Sequence, residues 1–187
     1  MNYFLALRPT AAARERLATI AERLQRWEYP ARWVHPDDYH ITIAFLGQLG
    51  DSELRSVPWA VNDVGHALLA PSLHLPGLGA FGGAHEPRVV YAAVGDPDGW
   101  CDDLHADCME ALGESVEARF KPHITLCRPN GRDGGRRDWR TLFEACGQAL
   151  WGSMEVDAFG FFVSQQGTPR YQLLESWPIP ALDRRSA

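Results

Sequence analysis

No CxxC pair, no long apolar run and only one lysine occur in this chain of 187 residues. Cys101, Cys108, Cys127 and Cys146 have neither the density of a disulfide scaffold nor the spacing of a thiolate zinc site. They read as reduced thiols, and a cytoplasmic protein is expected. No apolar stretch approaches the roughly 20 residues that span a bilayer. The segment Met1–Arg8 is too short for a signal-peptide core and carries no basic leader. A soluble protein with no membrane partner follows as the expectation. Lys121 stands alone among the eighteen Lys and Arg residues, and the net charge is −6. That balance excludes a general nucleic-acid coat, so contact with a polyanion has to come from a local basic patch. What is present argues for a packed domain. The chain is 45% hydrophobic with seven tryptophans, enough for one domain or two small lobes sharing a core.

The most informative stretch occurs twice. Tyr39-His40-Ile41-Thr42-Ile43-Ala44-Phe45 returns as Pro122-His123-Ile124-Thr125-Leu126-Cys127-Arg128, 83 positions later. Each copy is short, apolar and β-branched, the signature of a buried strand. Residues two apart on a strand share a face, so His40 projects with Thr42 and His123 with Thr125. Polar side chains on otherwise core-like strands need hydrogen-bond partners or a cleft.

The surrounding pattern repeats as well. A strand over 3–8 precedes a helix from Ala11 to about Arg26, capped by Thr10, with Leu17, Ile20, Ala21, Leu24 and Trp27 at helical spacing. Residues 32–34 are extended. After the first motif a helix runs from about Asp51 to Leu69, with Pro58 tolerable only near its start, and an extended segment spans 71–81. A strand over 88–94 leads to a helix over 100–112 and then the second motif. A helix over 138–150 and strands over 154–164 and 171–175 follow, and the tail 183–187 is expected to be mobile. Phe4 aligns with Val89 and His40 with His123, so each half reads strand, helix, motif strand, helix, strand. A duplication of this kind predicts one domain of two pseudo-symmetric lobes, roughly 1–85 and 86–182, with strands open to exchange between them. Equivalent strands would meet across a pseudo-twofold axis and line one cleft with two histidines and two threonines.

Such a cleft suits one chemistry in particular. An imidazole titrates near neutrality, so one of a pair can be neutral while the other is protonated. A base on the attacking group and an acid on the leaving group are the needs of a displacement, and threonine hydroxyls can donate to the oxygens of a charged centre between them. The arrangement describes in-line attack at phosphorus and requires no metal or cofactor.

The chain resembles the two-histidine (2H) phosphoesterases, specifically the RNA 2′,3′-cyclic phosphodiesterases of the 2′-5′ RNA ligase (LigT-like) family. The resemblance rests on Arg32-Trp33-Val34, Tyr39 to Gly47, Gly79-Ala80-Phe81, Arg88 to Tyr91 and Phe120 to Arg128. It implies an α+β bilobal fold, with two mainly antiparallel sheets facing a central cleft and helices outside. It also implies opening of 2′,3′-cyclic phosphate at RNA ends, or of cyclic nucleotides, to a 2′-phosphate, with ligation as the reverse reaction. Carried onto these positions, it makes His40 the general acid, His123 the general base, and Thr42, Thr125 and Arg128 the phosphate contacts. Strict alternation would turn Arg128 away from His123, so its role requires a bulge, twist or strand end. A non-catalytic nucleotide- or RNA-binding module on the same fold is the competing reading. A monomer is expected, since the lobes complete the site within one chain.

Other candidates read as structure. Asp102, Asp103, His105, Asp107 and Cys108 lack a metal-ligand spacing, with the acids on a solvated helix face. Arg128, Arg132, Arg136, Arg137 and Arg140 bracket a loop that is solvated or leads RNA toward the second motif. Phe45 and Phe81 could stack on a base, but alternation turns Phe45 away from His40, and core packing is expected for it.

Overall fold

The computed structural model describes residues 1–130 and 138–181. Arg132, Arg136 and Arg137 of the arginine-rich loop and the tail 183–187 lie outside the described residues.

Strand β1 (Tyr3–Pro9) passes into helix α1 (Ala11–Gln25). Thr10 caps that helix by accepting from the Ala13 N–H at 3.2 Å. Its buried stripe is Ala13, Leu17, Ala21 and Leu24. Trp27, expected to extend the stripe, falls beyond the helix end and is 39% exposed. Strand β2 (Ala31–Trp33) and a 3-10 turn over Pro36–Asp38 lead to the first motif strand, β3 (Ile41–Gly47). The single helix expected over 51–69 is instead α2 (Asp51–Ala60) and α3 (Asn62–His66), joined at Val61. Pro58 sits inside α2 rather than at its start, where its ring removes a backbone donor just before the break. Gly65 in α3 lets the indole of Trp177 approach, since a Cβ there would fall 2.4 Å from the ring.

Strands β4 (Leu73–Phe81) and β5 (Val89–Gly95) precede helix α4 (Trp100–Leu112) and the second motif strand, β6 (His123–Pro129). Helix α5 (Arg140–Cys146) is shorter than the expected 138–150. The strand expected over 154–164 is divided at Glu155 into β7 (Ser153–Met154) and β8 (Val156–Ser164). Strand β9 (Tyr171–Pro178) runs three residues past its expected end.

Among the described residues these strands form two antiparallel sheets, ordered β3-β1-β8-β9 and β2-β6-β5-β4-β7. Each sheet draws strands from both halves of the sequence. A common core joins them: Leu5, Leu7, Ile41 and Ile43 from the first sheet pack in one cluster with Val90, Ala92, Ile124 and Leu126 from the second. Leu17 and Leu24 of α1 and Leu104 and Cys108 of α4 complete it. Phe4, Ala6 and Phe162 form a separate small cluster. On β1 they alternate with the core residues and therefore face the opposite side of the sheet.

Candidate active site: two histidine half-sites at the seam between the sheets

Strands β3 and β6 lie in different sheets and meet at the seam. The imidazoles of His40 and His123 are near enough that the charge on His123 depresses the affinity of His40 for a proton. Both rings are half-buried, as are Thr42 and Thr125. The structure therefore brings all four motif side chains predicted from the sequence into one region.

The two half-sites share a backbone design. Nδ1–H of His40 donates to the carbonyl of Asp38 at 2.7 Å, and Nδ1–H of His123 donates to the carbonyl of Lys121 at 2.8 Å. In each case the acceptor lies two residues upstream. A carbonyl can only accept, so the tautomer is set and Nε2 is the nitrogen left for chemistry. Aromatic rings flank each imidazole: Phe4 and Tyr171 both at 4.9 Å from His40, Phe81 and Tyr91 at 4.9 and 5.1 Å from His123. This packing limits ring rotation and removes water. Desolvation is the main reason that His40 titrates well below its ordinary range, at about 4, and that His123 is also lowered.

Arg128 is placed by a β-bulge. Val90 pairs with Cys127 and Tyr91 with Thr125, so Leu126 is an extra residue opposite β5. Leu126 and Cys127 are consequently both buried, and Arg128 emerges on the face that carries His123 and Thr125. Its positive charge lowers the proton affinity of both His123 and His40. The same device appears in β3. Leu5 pairs with Ala44 and Ala6 with Thr42, leaving Ile43 as the extra residue. Phe45 is thereby turned over and is 62% exposed rather than packed in the core.

Three supports had no signal in the sequence. The buried carboxylate of Asp38 accepts from the backbone N–H groups of Arg170 at 2.8 Å and Tyr171 at 3.0 Å, which holds the tyrosine beside His40. His105, 2% exposed, donates from Nδ1 to the carbonyl of the bulged Ile43 at 2.7 Å. Its Nε2 accepts from the Glu117 N–H at 3.1 Å, and its ring stacks on Phe120 at 4.4 Å. One neutral imidazole thus ties the first motif strand to the segment entering the second. Phe4 and Tyr91 supply ring contacts that their strand patterns alone did not mark. Among the described residues no group of three or more His, Cys, Asp or Glu side chains could hold a metal ion.

Residues 7–91 match the family model for LigT-like phosphoesterases. An RNA 2′,3′-cyclic phosphodiesterase of Geobacillus stearothermophilus is 35% identical over 183 residues, an alignment that takes in 95% of this chain. The chain is similar to the LigT-like phosphoesterases. It spans 57% of the length of the Geobacillus relative. An RNA 2′,3′-cyclic phosphodiesterase of Methanothermobacter thermautotrophicus is 26% identical, with 94% of this chain and 92% of that protein aligned. The fold agrees with TT0787 of Thermus thermophilus, with a TM-score of 0.73 at 23% identity over 96% of this chain and 98% of that one. Escherichia coli LigT complexed with ATP gives 0.69 at 21% identity with the same coverage. The two-sheet α+β architecture expected from the resemblance is therefore the architecture of this chain.

Proposed function

We propose that this protein is a LigT-like phosphoesterase and hydrolyses RNA 2′,3′-cyclic phosphate ends to 2′-phosphomonoesters without a metal. The observation that carries the reading is the pair of imidazoles, each with Nδ1 tied to the carbonyl two residues upstream and Nε2 left for proton transfer. Nε2 of His123 takes a proton from water as its oxygen attacks phosphorus. The bond from phosphorus to the ribose 3′ oxygen breaks, and protonated His40 delivers its proton to that oxygen. Thr42 and Thr125 donate to the non-bridging oxygens, and Arg128 offsets their charge. Desolvation leaves His40 neutral in the free enzyme at pH 7. An arriving phosphodiester anion favours the imidazolium and raises its proton affinity, so substrate itself arms the acid.

The two sheets act as lobes of one unit, and each contributes one imidazole. A monomer then suffices, and the free cysteines fit a reducing cytoplasm. The relatives named above are RNA 2′,3′-cyclic phosphodiesterases, which supports the choice of substrate. Among the described residues no helix is long and apolar enough to cross a membrane.

The deciding experiment is phosphorus NMR of a short RNA ending in 2′,3′-cyclic phosphate, incubated with the protein in excess EDTA. Conversion to the 2′-monoester is the expected result. A 3′-monoester would reverse the leaving group assigned to His40. An unchanged cyclic phosphate with measurable binding would leave a nucleotide-binding module.

A further inference from the structure

The half-sites carry opposite charges at one equivalent position, two residues before each histidine. Asp38 occupies it ahead of His40, and Lys121 occupies it ahead of His123. The backbone carbonyl of that same residue holds Nδ1 of the imidazole, at 2.7 and 2.8 Å. Each charge is therefore carried by the residue that braces the ring. The Asp38 side chain is buried and fixed, its Oδ1 accepting from the N–H groups of Arg170 at 2.8 Å and Tyr171 at 3.0 Å. The ammonium of Lys121 lies 5.4 Å over the Tyr91 ring, and that ring lies 5.1 Å from His123. Lys121 is exposed, so water screens its field more than that of Asp38. Desolvation, the largest influence on both imidazoles, lowers their proton affinities together. Asp38 opposes it at His40, whereas Lys121 adds to it at His123. Arg128 lowers both rings and His123 lowers His40, while Phe4, Phe81 and the phenols of Tyr171 and Tyr91 complete their surroundings.

We propose that Asp38 and Lys121 are positioning residues for the proton, making His40 the acid and His123 the base, a reading that rests on the function proposed above. Two imidazoles on matched backbone are interchangeable in those roles, and only their surroundings tell them apart. Desolvation alone would order them wrongly. It opposes the charged form most strongly at His40, the ring that has to hold a proton before the bond breaks. A fixed carboxylate near His40 favours its imidazolium, and a cation near His123 disfavours one there. When the substrate anion enters between the rings it draws a proton to either, and the two flanking charges direct that proton to His40. After turnover the imidazolium sits at His123. The same two charges then favour loss of the proton there and its return to His40 for the next cycle.

Charge-removing variants and a pair of substrates test this. Asp38→Asn keeps an oxygen to accept from Arg170 and Tyr171 and removes the negative charge, and Lys121→Gln removes the positive one. In an NMR pH series Asp38→Asn should lower the His40 titration, and Lys121→Gln should raise that of His123. On a nucleoside 2′,3′-cyclic phosphate at neutral pH, Asp38→Asn should lower kcat about ten-fold, less than the roughly 10²–10⁴ that a general acid contributes outright. On a nucleotide nitrophenyl diester, whose leaving group departs without a proton, it should keep the native rate. Lys121→Gln should move the acidic limb of the pH–rate profile to higher pH with both substrates, and Lys121→Arg should restore it. Equal loss on both substrates in Asp38→Asn, or a His40 titration left in place, reduces Asp38 to a structural anchor and overturns the proposal. An acidic limb that Lys121→Gln leaves unmoved does the same. Lys121 is exposed, so its variants decide the matter even where Asp38→Asn fails to fold. Failure of the phosphodiesterase reading shows separately, as titrations that move as stated in a protein that leaves cyclic phosphate unchanged.

Discussion

The His40 and His123 half-sites use one backbone design and different side chains. In each, a carbonyl two residues before the histidine sets the tautomer, a threonine follows two residues later, and a bulge falls one residue beyond that. These are the features that a displacement at phosphorus needs on both sides. The differences lie around them. The residue before the bracing turn is an anchored carboxylate, Asp38, in one half-site and in the other a lysine, Lys121, whose ammonium sits 5.4 Å from the Tyr91 ring. His40 is the more deeply desolvated imidazole. Its half-site ends in an exposed phenylalanine, the other in an arginine. In the proposed reaction, symmetric backbone would supply the chemistry and asymmetric side chains would give the substrate one orientation.

Removing either imidazole should break the comparison most severely. His40→Ala and His123→Ala are each expected to lower kcat by about 10²–10⁴, with affinity for adenosine 2′-monophosphate held within several-fold. The variants should separate on a nucleotide diester whose leaving group is nitrophenolate, which departs without a proton. There His40→Ala should recover most of its lost rate and His123→Ala should not. Equal recovery would remove the distinct acid and base roles.

The next effect is on stability in acid. The folded-state proton affinity of His40 is depressed from an ordinary 6.5 to about 4, so below pH 6.5 the unfolded chain takes up the proton first. Stability contributed by the neutral imidazole is present above pH 6.5 and is lost as pH falls toward 4, by up to about 3 kcal/mol. Denaturant unfolding of native protein and of His40→Gln across that range should show the native curve falling more steeply. Parallel curves would mean that His40 is not desolvated.

The smallest expected effect sharpens the electrostatic side. Arg128 lowers both imidazoles, although desolvation dominates each. Arg128→Gln should therefore raise both histidine titrations in an NMR pH series. Movement of only one would place Arg128 in one half-site rather than between them.

How much of this was legible differs residue by residue. His40, Thr42, His123 and Thr125 could be read from a repeated motif, because period-two alternation is a local property. Arg128 and Phe45 could not be placed by alternation, since each bulge depends on the register against a partner strand more than thirty residues away. The Asp38 anchor reaches across 132 residues to Arg170, and His105 reaches 62 residues back to Ile43. Nothing near either residue announces those partners. Helix ends were likewise local where a cap marked them, as at Thr10. They were less legible around Pro58, where the chain continued helical past the proline before breaking.

The sequence alone determined most of the elements, their repeated order and the identity of the four motif side chains, because periodicity, capping and turn chemistry act over a few residues. Only the tertiary structure decided which strands exchange between sheets, where each bulge falls, and hence which face Arg128 and Phe45 occupy. Those outcomes depend on pairing and burial between segments distant in the chain, and they turn two similar motifs into unequal halves of one site.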